Sequence, residues 1–181
     1  MRLRAAIAGL ALLVLSQPAS ARPACPVPLA DLNRGLRTLP GALAVLTTQR
    51  RDPDSGEPVR RTVVETASGT AVVVEQKNCA MWNLSVSVLT PQPAPAAADL
   101  RLLGKALGLT PLWRKWFAGR DALDFAERAA SSHRAQLAAG QHFAAPVDAP
   151  PAEALLAYAA AEPRSAPWTG MLTLTISAGG E

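Results

Sequence analysis

The chain has 181 residues, 49% of them hydrophobic and only 4% aromatic, which suits one domain with a core built mainly of Leu, Val and Ala. Its formal charge of +4 includes Arg2 and Arg4, and no long Lys/Arg run follows them. The charge therefore makes no case for a nucleic-acid partner.

Met1 to Ala21 has the three parts of a secretory leader. Arg2 and Arg4 form a positive start, Ala5 to Leu15 is continuously apolar, and Ala19-Ser20-Ala21 supplies the small residues of a cleavage site. The apolar run falls short of the roughly 20 residues that cross a bilayer. Arg22 and Pro23 separate the small residues from Cys25, which argues against a lipoprotein. The expected organisation is a signal peptide over residues 1–21 and a single domain over 22–181. No later apolar run is long enough to cross a membrane, so the mature chain is expected to lack a transmembrane segment. The leader and the Ala-, Arg- and Pro-heavy composition point to a bacterial protein exported to the periplasm. In that oxidising compartment Cys25 and Cys79, the two cysteines of the chain, are expected to form a disulfide. Closing a loop of that length stabilises by on the order of 4 kcal/mol, less any strain. Without a C-x-x-C pattern, the pair gives little reason to expect redox or metal chemistry.

Leu29, Leu32 and Leu36 have helical spacing, and Leu39-Pro40-Gly41 ends that pattern; a short helix with Arg34 and Arg37 toward water is expected. Ala42 to Gln49 reads as a strand. Asp52 to Pro58 (DPDSGEP) is dense in turn formers. A second strand runs from Val59 to Thr66 and, after Ser68-Gly69, a third from Ala71 to Gln76. In the fourth, Trp82, Leu84, Val86 and Val88 alternate with Asn83, Ser85 and Ser87. A strict period of two marks one buried and one wet face. The short connections predict an antiparallel meander.

Pro91 to Pro95 breaks the pattern, and helices are expected over 96–107, 112–117 and 122–139. Thr110-Pro111 and Asp121 supply the starts of the last two, and Asp124 can pair with Arg128 one turn on. Residues 141–150 read as a loop. Ala-rich 151–161 reads as a fourth helix. Leu172, Leu174 and Ile176 alternate with Thr173, Thr175 and Ser177 in a final strand that must return to the sheet. The predicted fold is α+β: an antiparallel sheet of about five strands, a four-stranded meander plus the C-terminal strand, covered on one face by several helices.

The chain carries no G-x-S-x-G elbow, H-E-x-x-H, P-loop or G-x-G-x-x-G. No cofactor or metal site is therefore expected, and no catalytic residue can be assigned. Its two histidines are His133 and His142. His133 falls near an apolar helical stripe, where packing accounts for it better than catalysis. Two clusters are candidates for binding. Arg50, Arg51, Arg60 and Arg61 flank the Asp52 turn and could gather on an anion, although Asp52, Asp54 and Glu57 lie between them to neutralise it. Trp113, Arg114, Lys115 and Trp116 place two indoles beside two cations, as an interfacial helix would; the plainer reading packs Trp116 and Phe117 on the sheet and leaves Arg114 and Lys115 in water. Asn83-Leu84-Ser85 matches a glycosylation sequon, relevant only in a glycosylating source.

The reading that follows is an exported, non-enzymatic binding module of the cell envelope, with another envelope protein as its partner. Two alternatives stay open: a carrier of a lipid or other apolar ligand between sheet and helices, and a small hydrolase with a site built from loops.

Overall fold

The computed structural model describes residues 29–79, 81–161 and 167–179. The leader and Cys25 lie outside the described residues. The elements run α1 (Asn33–Leu36), β1 (Ala42–Arg51), β2 (Pro58–Thr66), β3 (Ala71–Asn78), β4 (Met81–Thr90), α2 (Ala97–Gly108), α3 (Pro111–Trp116), α4 (Ala122–Ser131), α5 (Arg134–Ala138), β5 (Phe143–Val147), β6 (Glu153–Ala160) and β7 (Gly170–Gly179). The fold is α+β. Among the described residues the strands form one open, antiparallel, seven-stranded sheet in the order β1-β2-β3-β4-β7-β6-β5.

Strand parity sets the two faces. Trp82, Leu84, Val86 and Val88 of β4 stand in register with Ala178, Ile176, Leu174 and Leu172 of β7. All eight are buried, in one cluster with Leu32 and Leu36, with Leu103 and Leu107 of α2, and with Phe125 of α4. The helices therefore cover this face. On the other face the same two strands pair hydroxyls: Ser85 Oγ lies 2.7 Å from Thr175 Oγ1, and Ser87 Oγ 2.8 Å from Thr173 Oγ1. Ser177 Oγ donates to Asn83 Oδ1 at 2.6 Å. A smaller apolar cluster of Ala71, Val73 and Leu89 lies on that outer face under Trp168 and Met171.

The expected count of about five strands is too low by two. Residues 151–161 are not a helix: Glu153–Ala160 is β6, paired on both sides. Its Ala154, Leu156 and Tyr158 face the core at 7%, 0% and 2% exposure. Alanine fits a strand as well as a helix when neighbouring strands supply every backbone partner, so intrinsic propensity loses to tertiary pairing. The expected loop over 141–150 contains β5, an edge strand where Pro146 is tolerated because the edge needs fewer N–H donors. The single helix expected over 122–139 is two helices. His133 leaves helical geometry (φ −118°, ψ 15°) between α4 and α5.

The local start signals act as their chemistry dictates. Trp113 N–H donates to Thr110 Oγ1 at 3.3 Å and Asp124 N–H to Asp121 Oδ1 at 2.8 Å, each meeting a donor that the first helical turn leaves open. Arg128 and Asp124 pair at 2.9 Å. Among the described residues no helix is long and apolar enough to cross a membrane.

Candidate functional site

The Arg-rich hairpin does not gather its four guanidinium groups. In β1 and β2 successive side chains alternate faces. Arg50 and Arg61 fall on the outer side, in register with Val59 and Glu75 respectively, and Arg51 and Arg60 on the helix side. Arg50 reaches Glu75 at 3.7 Å. Arg51 donates to the Gly56 carbonyl at 2.8 Å. Arg60 holds the chain ahead of α1, donating through Nη1 to the Leu29 carbonyl at 2.7 Å. At the turn, Lys77 of β3 bridges Asp52 at 3.3 Å and Glu57 at 3.4 Å. Asp52 Oδ1 accepts the N–H of Ser55 at 2.9 Å and of Asp54 at 3.1 Å. Those donors, the Ser55 N–H foremost, hold the Asp52 carboxyl down to about 2. Burial opposes the charge on Lys77, but hydrogen bonding and attraction to Asp52 and Glu57 outweigh it and raise the ammonium above its ordinary value. The tip satisfies itself.

The Trp113–Trp116 segment divides. Trp113 is buried at 3% exposure, stacked on Phe117 at 4.4 Å between ring centroids and tilted against Phe125 at 5.1 Å. Its indole N–H donates to the Arg120 carbonyl at 3.2 Å. Arg114 Nε approaches the Gly108 carbonyl at 3.4 Å, a cation at the end of α2 where the last carbonyls lack helical partners. These two residues hold the helix layer together.

Trp116 and Lys115 build something else. Trp116, the last residue of α3, is half-buried and meets Trp82 edge to face at 6.3 Å and 76°. Lys115 folds its ammonium over the same Trp82 ring, 4.2 Å from the centroid, and lies 5.5 Å from that of Trp116. An exposed contact of this kind is worth about 0.5–1 kcal/mol. Trp82, Lys115, Trp116, Pro151 and Gly179 line a cavity of about 320 Å³ at this end of the sheet. The indole N–H of Trp116 is buried and has no hydrogen-bond partner among the described residues. In register beside Trp82, the Oδ1 of buried Asn78 also lacks one. A buried donor without an acceptor costs about 1–3 kcal/mol.

The two histidines make local contacts. His133 Nδ1 lies 2.8 Å from Gln136 Oε1, and its ring stacks on Phe143 at 4.5 Å. His142 Nε2 accepts the Ala160 N–H at 3.1 Å, so its ring proton sits on Nδ1. The fold does bring Ser132, His133 and Asp148 to a cavity of about 500 Å³ beside Arg120 and Arg128. The His133 nitrogen that a triad would give to a carboxylate is instead engaged by Gln136. Among the described residues no group of three or more His, Cys, Asp or Glu side chains is arranged to hold a metal.

No family model, curated protein or solved structure matches this chain.

Sequence reasoning found Lys115 and Trp116 but missed their partners. Trp82 read as a core residue of its strand, and nothing near it in the chain signals a helix that begins beyond a Pro-rich linker. Pro151 and Gly179 carry no local signal of a site at all.

Proposed function

We propose that this protein is an exported, non-enzymatic binding module of the cell envelope, and that it meets its partner through the Trp82–Trp116 corner. One observation carries the choice of site. The corner combines an accessible cation with two indole rings that it contacts, whereas at the hairpin tip Lys77 is bridged by Asp52 and Glu57 and Arg51 is taken up by the Gly56 carbonyl. Tryptophan is among the residues that dominate energetic contact points. Export rests on the leader of residues 1–21. A Cys25–Cys79 disulfide belongs to the same reading: no described cysteine is free, and Cys79 follows directly after β3 at the corner's end of the sheet. The carrier alternative has less support. Leu84, Val86, Leu103, Leu107 and Leu174, which a ligand chamber between sheet and helices would have to separate, belong to one cluster at 0% exposure.

Photo-crosslinking in the periplasm tests the site. A benzoylphenylalanine at exposed position 81, beside Trp82, is expected to yield a discrete protein adduct that Lys115→Gln weakens, and one at exposed position 101 of α2 is not. Equal labelling from both positions, or none from 81, would end this reading. Intact mass without reductant tests the rest. A chain that starts at Arg22 and weighs two hydrogens less than its sequence is the expected product.

A further inference from the structure

The two edges of the sheet are built differently. β5 is five residues long and carries Pro146, which has no N–H to offer a further strand. β1 is ten residues long, and from Ala42 to Gln49 it has neither a proline nor a charge. Lysine, proline and short length are the usual protections of an edge, and the irregularity between Ala42 and Ala44 guards only the start of this one. Leu43 and Leu46, at 71% and 65% exposure, are the two most exposed large hydrophobic side chains among the described residues, and both belong to β1. The hairpin fixes which backbone groups of the strand face outward. Asp52 N–H donates to the Glu57 carbonyl at 2.8 Å, and Arg51 stands opposite Pro58, which has no N–H. Antiparallel pairs alternate between bonded and non-bonded. Arg50, Thr48 and Leu46 therefore bond to β2, and Val45, Thr47 and Gln49 turn their N–H and C=O groups to the open edge. Among the described residues nothing else takes those groups.

We propose that β1 pairs with β1 of a second copy, antiparallel about a two-fold axis at Leu46, so that two seven-stranded sheets become one. The strand is matched to its own copy. In this register the outward groups of Val45 meet those of Thr47 of the second copy. Leu46 faces its own equivalent in a non-bonded pair, where side chains stand closest, and the contact takes an exposed leucine out of water. Each Arg50 comes to an offset of two strands and two residues from Glu65 of the other copy, with small Ala44 between them. That is the offset at which Arg50 meets Glu75 within its own chain, at 3.7 Å. Glu65 is exposed and has no ion pair among the described residues. A strand of another protein could use the backbone groups, but nothing in β1 selects one. A two-fold pairing also closes on itself, and Pro146 keeps β5 from extending it. Trp82 lies on the central strand β4, away from this edge, so the corner and the edge fail separately.

Sedimentation equilibrium and native mass spectrometry of the purified full chain after leader removal test the pairing. A monomer–dimer equilibrium is expected, with a dissociation constant on the order of tens of micromolar, because a contact one strand wide belongs to the small class of interfaces. Leu46→Lys and Leu46→Glu each set like charges opposite one another and are expected to weaken the dimer at least about tenfold. Mixing these two variants is expected to restore pairing as a heterodimer, identified by its mass. Gln49→Pro removes one outward N–H and no bond to β2, and is expected to weaken the homodimer as well. Circular dichroism checks that each variant keeps its fold. A chain that stays monomeric at about 1 mM, a dimer that Leu46→Lys leaves intact, or a mixture that yields no heterodimer overturns the proposal. A monomeric pure chain that a benzoylphenylalanine at position 46 joins to a different protein in the periplasm also overturns it, and gives the edge to that protein.

Discussion

The β1–β2 hairpin and the Trp82–Trp116 corner both concentrate cations, and they resolve them in opposite ways. At the hairpin Lys77 bridges two carboxylates, Asp52 accepts two backbone N–H groups, and Arg51 closes on the Gly56 carbonyl. Gly56 makes that turn possible by adopting φ 69°, which a side chain would resist. At the corner Lys115 has an indole face and, among the described residues, no counter-ion, and Trp116 and Asn78 each bury a polar atom without a partner among those residues. The tip of the hairpin can complete itself because its partners lie within a few residues or one strand away, although Arg60 farther along β2 reaches back to the Leu29 carbonyl and keeps a buried Nε without a partner among the described residues. The corner is formed by a strand start, a helix end, a loop and a strand end, and each brings groups matched to its own element rather than to the others. The contrast teaches that a cluster of charge in the sequence is weak grounds for a site, whereas polar groups that the fold leaves unmatched are stronger grounds.

The largest effect that bears on this contrast comes from the residue that anchors the corner without belonging to it. Trp113→Ala removes the ring stacked on Phe117 and tilted on Phe125, and the expected loss is about 3–5 kcal/mol in urea unfolding. A loss below about 1 kcal/mol, the level of an ordinary surface change, would mean that Trp113 is not core. The division between the two tryptophans would then collapse.

A smaller effect belongs to the hairpin. Because the folded protein holds Asp52 at about 2 against an ordinary 3.8, its contribution to stability is fully present above 3.8 and is lost as the pH falls toward 2. Hydrogen exchange at the Ser55 amide should therefore show protection that falls across that window, and Asp52→Asn should flatten the fall. Protection that does not change with pH would show that the tip is held by something other than the carboxylate.

The smallest stability effect, and the sharpest for the comparison, is expected from Trp116→Phe. The change keeps most of the ring and deletes the unmatched N–H, so stability should move by less than about 1 kcal/mol in either direction. A large destabilisation would place Trp116 in the same class as Trp113 and leave the corner as packing.

Much of this fold was legible in the chain. The alternation in β4 and β7 fixed which residues of each face the helices, because side-chain parity in a strand is a local property. Thr110, Pro111 and Asp121 marked helix starts, since a cap and its donor lie within three residues of each other. Asp52 to Pro58 marked the hairpin for the same reason. The misses have one cause. Ala154, Leu156 and Tyr158 became strand residues because β5 and β7 lie on either side, and alanine-rich sequence has no strong preference of its own. The site was half legible: the chain nominated Lys115 and Trp116, and only the packing of α3 against the start of β4 brought them to Trp82. By itself the sequence determined the turns, the caps, the two-faced strands and the four-stranded meander ahead of α2, each set by chemistry within a few residues. Tertiary structure decided the seven-stranded pairing, the assignment of Trp113 to the core and Trp116 to the cavity, and the meeting of Lys115 with Trp82 that nominates the site. Those depend on groups far apart in the chain, whose meeting no local preference encodes.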